Sequence, residues 1–190
     1  MLARSGTADK VARMHVVLFA AQSLDGWITR HQEAGDAFAS EADKIHFRAA
    51  IRTCDACVMG EATYEVSKER MRPQVFPGLR RVIWTRKPES RAMEAVPGVL
   101  EFTQEEPVET VARLRADGRK RCAVLGGGRL NAAWLAAGLI DELCVTVESR
   151  IFGQGTPLAA GLALDVGLEL IEARTLAVGG PVLLRYAIKR

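Results

Sequence analysis

Five short, mostly apolar runs, at residues 15–21, 56–59, 81–85, 99–102 and 122–125, alternate with helical patterns, and this alternation constrains the fold more than any other feature. Each run is too short for a core helix and most are rich in β-branched or aromatic residues, as in strands buried on both faces. Strands of that kind, separated by helices, build a parallel sheet with helices on both faces. Ser40 caps a predicted helix over 40–52, with Asp43 at its third position in a near capping box. A short helix over 61–68 follows Gly60, and one over 107–117 has Pro107 in its first turn and Gly118 just past its end. Leu130, Ala133, Trp134 and Ala137 keep the i, i+3, i+4, i+7 spacing of a further helix, which Gly138 ends. After it come strands at 142–148, 168–174 and 182–189 with no long helix between them. Gly179-Gly180 joins the last two as an antiparallel hairpin at the sheet edge.

Residues 1–13 are small, polar and charged, and read as a flexible arm ahead of a single domain over 14–190. At 190 residues, roughly 70% of the unfolded chain's surface can be buried, so a full core needs no disulfide or metal. A net charge of +3 does not call for nucleic acid, and no run approaches the ~20 apolar residues of a membrane span. A soluble, cytoplasmic protein is expected. Cys54 and Cys57 straddle a helix end and a strand with no second pair at zinc spacing, and His15, His31 and His46 form no cluster, so no metal is expected. No serine sits in a G-x-S-x-G elbow, which argues against nucleophilic hydrolysis.

Glycine is spread unevenly: eleven of the seventeen lie between residues 118 and 180. The sharpest group, Gly126-Gly127-Gly128, lies between a strand and a helix start, where free N–H groups and a positive helix end suit a pyrophosphate. A tight turn would need only one or two of the three. The run is not a full dinucleotide fingerprint, since Asn131 stands where the third glycine belongs, although Glu148 follows Gly128 by 20 residues as a ribose-binding acid does. Gly60 with Thr63 repeats the arrangement of strand, glycine and helix start, so the two turns suit two phosphates. Thr85-Arg86-Lys87 offers a hydroxyl and two cations, either for a 2′-phosphate or as an exposed basic turn.

Asp43 has two readings. As the third helical residue it supports the cap and the dipole. With Phe47, Ala50 and Ile51 it also marks one end of the helix's apolar face, where a carboxyl can have its pKa raised and donate a proton or anchor a substrate.

In order and spacing, 19–28 (with Ser-Leu-Asp-Gly), 58–65, 77–86 and 125–130 resemble the dihydrofolate reductase-like superfamily. Residues 136–143 and 152–157 place the resemblance nearest to the C-terminal reductase domain of the bifunctional riboflavin-biosynthesis deaminase/reductase. It implies a mostly parallel sheet of about eight strands, a homodimer, and NADPH-dependent hydride transfer to C1′ of 5-amino-6-(5-phosphoribosylamino)uracil or a related pyrimidine. Carried over by position, Ala21, Gly60, Thr63, Thr85, Arg86, Gly126, Gly127, Gly128, Arg129 and Leu130 line the cofactor. Ser40 and Arg52 approach the substrate, Arg52 as a phosphate ligand, and Asp43 falls where dihydrofolate reductases keep their pterin-binding carboxylate. Two features depart from the pattern: Gly126 replaces the family's substrate-binding Glu, and Ser67 and Lys68 stand near the place of its paired aspartates. Dihydrofolate or pterin reduction, and a dinucleotide-binding protein without catalysis, are the alternative readings.

Overall fold

A computed structural model describes residues 13–31, 33 and 35–189, so the predicted arm at 1–13 lies outside the described residues except for Arg13. The strands are β1 (His15–Ser23), β2 (Ala56–Gly60), β3 (Arg80–Trp84), β4 (Leu100–Thr103), β5 (Arg121–Val124), β6 (Glu142–Glu148), β7 (Leu168–Thr175) and β8 (Val182–Ile188). The helices are α1 (Glu41–Ile51), α2 (Glu61–Ser67), α3 (Pro107–Ala116) and α4 (Gly128–Ala136). A 3-10 helix at Pro88–Glu94, which the sequence pattern does not signal, precedes β4.

All eight strands form one sheet in the order β4-β3-β2-β5-β1-β6-β8-β7. The first six run parallel, and β8 pairs antiparallel with both β6 and β7, giving the expected edge hairpin. Alternate residues of each strand point to opposite faces. Thus Val16, Leu18, Ala56, Val58, Cys122 and Val124 pack under α3 and α4 through Val111, Leu114, Leu130 and Trp134. On the other face, Val17, Phe19, Cys57, Met59 and Ala123 meet Ile51 of α1 and Tyr64 of α2. Side chains such as Trp134 and Leu114, at 2% and 0% exposure, each contribute ~2–5 kcal/mol relative to alanine.

Helix ends follow local chemistry. Gly118, Gly138 and Gly179 take positive φ of 77°, 65° and 63°, where a β-carbon is disfavoured, and so end α3, end α4 and turn the β7–β8 hairpin. The Ser40 hydroxyl accepts from the Asp43 N–H at 3.2 Å, as the cap requires. The returning arm of the capping box, however, comes from Glu148, whose carboxylate accepts the Ser40 N–H at 2.8 Å. This corrects both sequence readings: Glu148 is a buried brace for α1 rather than a ribose ligand, and the Asp43 carboxylate does not complete the capping box.

Candidate active site

A cleft of about 880 Å³ opens beyond the carboxyl ends of the parallel strands, where helix N-termini gather. One end holds Gly127, Gly128, Arg129, Leu130 and Thr63, and the other holds Asp43, His46, Phe47 and Thr146. Of the residues singled out by sequence, Ala21, Gly60, Thr63, Thr85, Arg86, Gly127, Gly128, Arg129, Leu130 and Asp43 line it. Gly126, Ser40 and Arg52 do not.

The strand-to-helix glycines divide by role. Gly126 takes φ +88°, and its carbonyl accepts the Gly60 N–H at 2.7 Å, which ties the two glycine turns together behind the cleft wall. Gly128 is required for packing, because a Cβ there would lie 2.5 Å from the Pro157 carbonyl oxygen and 3.2 Å from Ala160 Cβ. Gly127 alone has neither reason: its φ is −72°, and a Cβ would meet only Thr63 Oγ, at 3.8 Å. Gly127 is also the N-cap of α4 with no side-chain cap, so the first N–H groups of that helix lack intrahelical partners beside the cleft. An uncapped helix end beside a bare backbone fits a pyrophosphate. The other reason the sequence suggested for three glycines, a tight turn, accounts for Gly126.

Thr85 is only 3% exposed, and its hydroxyl donates to Glu61 at 2.6 Å, so the side chain read as a free phosphate donor is already engaged. Arg86, Lys87 and Arg129 are exposed and make no ion pair among the described residues.

At the far end, Asp43 is 7% exposed, and burial pushes its carboxyl up to about 6. A hydrogen bond with the Thr146 side chain opposes that rise, whereas the neighbouring carboxylates of Glu148 and Asp36 add to it. Phe19 and Phe47 pack edge to face at 6.4 Å beside it. His46, whose pKa burial lowers, lies 3.5 Å from Cys144, whose thiol burial pushes up to about 12. Both are therefore uncharged walls at neutral pH.

Ser40 sits at the head of α1 with its hydroxyl on the Asp43 N–H. Arg52 is the C-cap of the same helix, exposed, with its guanidinium 5.9 Å from the centroid of the Phe76 ring. Phe76 lines the cleft, and so do Lys44 and Arg48, which precede Arg52 by eight and four residues on the same helix, so Arg52 stands beside the cleft. Arg52 does not itself line the cleft. Three contributors were missed in the sequence. Thr146 was detectable as the single hydroxyl in the apolar strand Leu143 to Val147. Glu61 and the loop residue Thr156 gave no such signal.

The Ser-Leu-Asp-Gly signature has a structural use. Asp25 accepts from the Ser23 hydroxyl at 2.6 Å, the Trp27 indole at 3.1 Å and the Gly153 N–H at 2.7 Å, the first of these foremost in holding its carboxyl down to about 2. The clamp fastens the loop after β1 to the loop after β6, and those two loops supply Ile28, Thr29 and Thr156 to the cleft rim.

The chain is similar to several known proteins. YwjB of Bacillus subtilis (strain 168) is 30% identical over 159 residues, 81% of this chain and 87% of that protein. The 2,5-diamino-6-ribosylamino-4(3H)-pyrimidinone 5′-phosphate reductase of Methanothermobacter thermautotrophicus is 27% identical over an alignment of 217 positions, gaps included, that covers 93% of this chain and 99% of that one. Among solved structures, dihydrofolate reductase from Enterococcus faecalis, complexed with NADP(H) and RAB-propyl, superposes with a TM-score of 0.67 at 19% identity, covering 94% of this chain and 99% of its own. The fold is therefore dihydrofolate reductase-like. Residues 14–183 match the model of the RibD C-terminal domain, a span that takes in all four helices and every strand but most of β8, and this chain accordingly belongs to the RibD C-terminal domain family.

Proposed function

We propose that residues 14–190 act as a single NADPH-dependent reductase domain of the riboflavin-biosynthesis type, transferring hydride to C1′ of 5-amino-6-(5-phosphoribosylamino)uracil or a related pyrimidine. The observation that carries this reading is the continuity of the cleft, which joins the uncapped start of α4 at Gly127 to the buried carboxyl of Asp43. Family membership and the relative that reduces a ribosylamino-pyrimidinone phosphate support it. So does a structural neighbour complexed with NADP(H).

In this reading, the N–H groups of the first turn of α4, with Arg129 and Thr63, hold the pyrophosphate, and Arg86 and Lys87 face the 2′-phosphate. A nicotinamide dinucleotide supplies the hydride when bound. The chain's own residues orient the acceptor carbon and exclude water, with Phe19, Phe47 and Ile28 as the apolar walls. When a C=N bond is reduced, carbon gains the hydride and nitrogen must gain a proton. Asp43 holds that proton up to about pH 6 and lies at the floor of the same pocket. A carboxyl beside the Thr146 hydroxyl also matches a ring nitrogen with its exocyclic amine, which favours dihydrofolate or a related pterin as the second reading.

NADPH oxidation measured with the ribosylaminopyrimidine phosphate and with dihydrofolate tests the assignment. Turnover with the pyrimidine supports the first reading and turnover with the pterin the second. NADPH binding without either turnover would leave a dinucleotide-binding protein that lacks catalysis. A cytoplasmic homodimer is proposed on the resemblance, and the exposed Leu168 and Leu170, on one face of edge strand β7, offer an apolar contact for a second copy. None of the described helices is long and apolar enough to cross a membrane.

A further inference from the structure

Beside the cleft lies a second depression, lined by Glu61, Thr85, Arg86, Lys87 and Ser90. It is where the 2′-phosphate falls if the proposed dinucleotide reading holds, and the present inference rests on that reading. A carboxylate in this place is an anomaly. Glu61 would repel a phosphate dianion, and a lone carboxylate there would instead accept the 2′-hydroxyl of a cofactor that lacks the phosphate.

Glu61 is not alone, however. Its Oε1 accepts from Arg91 Nη1 at 2.9 Å, and its Oε2 accepts from the Thr85 hydroxyl at 2.6 Å. Both oxygens are thus occupied. Arg91 belongs to the 3-10 helix and does not line the depression. Its other nitrogens hold Glu65 at 2.5 Å and Glu94 at 2.6 Å, and its guanidinium lies 5.0 Å from the Phe102 ring centroid and 5.6 Å from that of Tyr64. Such a hub is fixed in place, with the Arg91 side chain only 14% exposed. Arg86 and Lys87, in contrast, are unpaired among the described residues and remain available for a phosphate.

We propose that Arg91 is a positioning residue that sets the choice between NADPH and NADH. By offsetting part of the Glu61 charge and engaging one of its oxygens while Thr85 engages the other, it weakens the repulsion that Glu61 exerts and leaves Arg86 and Lys87 as the unpaired cations of the depression. Without Arg91, Glu61 becomes a free anion beside the 2′-phosphate.

Calorimetric affinities for NADPH, NADH, 2′,5′-ADP and 5′-AMP test this without relying on turnover. The unmodified protein is expected to favour NADPH over NADH, and 2′,5′-ADP over 5′-AMP, by about tenfold or more. Arg91→Met, which keeps an apolar side chain against Tyr64 and Phe102, should reduce both ratios about tenfold while NADH binding stays within about threefold. Adding Glu61→Gln to that variant should restore NADPH binding, because the freed carboxylate is then gone. Glu61→Gln alone should tighten NADPH, and it gives an independent result should Arg91→Met fold poorly. Equal loss of NADPH and NADH in Arg91→Met, no rescue by Glu61→Gln, or weaker NADPH binding in Glu61→Gln alone would overturn the inference. If the unmodified protein binds neither dinucleotide, the proposed function itself fails, a result distinct from any of these.

Discussion

Asp43→Asn is expected to lower turnover by ~10²-fold or more while leaving NADPH affinity unchanged, and at the same time to make the protein more stable near neutral pH. The two effects share one cause. Burial raises the Asp43 carboxyl from 3.8 to about 6, so the folded state prefers it protonated. A group whose folded pKa lies above its unfolded value contributes stability in full below the unfolded value, near pH 4, and loses it as pH rises through about 6. The difference is on the order of 3 kcal/mol between acid and neutral pH. Asparagine has no charge to desolvate and can still accept the Thr146 hydrogen bond, so Tm should rise by several degrees at about pH 8 and change little at about pH 4. Activity of the unmodified protein should fall as pH rises through about 6 if the proton held by Asp43 is the one delivered. The assigned role would be contradicted by a variant that keeps its activity and shows only the loss of ~1 kcal/mol expected of a damaged helix start.

Gly127→Ala and Gly128→Ala should fail in opposite ways. At Gly127, which a cis peptide joins to Gly126, φ and ψ lie in the extended region open to any residue and the new methyl has room, with only Thr63 Oγ within 4 Å, at 3.8 Å. Stability should hold or rise by ~0.4–1 kcal/mol, since alanine restricts the unfolded chain. The methyl nevertheless faces the cleft beside the free N–H groups of α4, so NADPH affinity should drop by about tenfold or more. At Gly128 the methyl would lie 2.5 Å from the Pro157 carbonyl, which belongs to the loop clamped by Asp25. That loop must shift, at ~1–3 kcal/mol, and Tm should fall by several degrees. Thermal melts with and without NADPH separate the two. Equal loss of stability in both variants would mean that the glycines serve packing alone.

Elements whose cause is local were legible in the sequence. The apolar runs give all eight strands to within two residues at their ends, the Ser40 cap sits where its hydroxyl predicts, and Gly118, Gly138 and Gly179 end what they were expected to end. The strand order was not legible, because β5 enters between β1 and β2, a long-range pairing that no local pattern records. The site was legible in the same uneven way. Gly127 and Asp43 follow from residue type and position at strand and helix ends. That Glu148 rather than Asp43 completes the cap, that Gly128 answers to Pro157, and that Glu61 is held by Arg91 all depend on residues 29 to 108 positions apart. Arg52, carried over by resemblance, reaches the lining residue Phe76 from the end of α1 without lining the cleft itself, a placement that depends on a residue 24 positions away.

A crystal structure with NADPH bound tests the central claim most directly. The account predicts the pyrophosphate within hydrogen-bond distance of the N–H groups at the start of α4, the 2′-phosphate beside Arg86 and Lys87, and the nicotinamide lying toward Asp43 and Thr146. A dinucleotide bound outside this cleft, or one whose nicotinamide points away from Asp43, would contradict it.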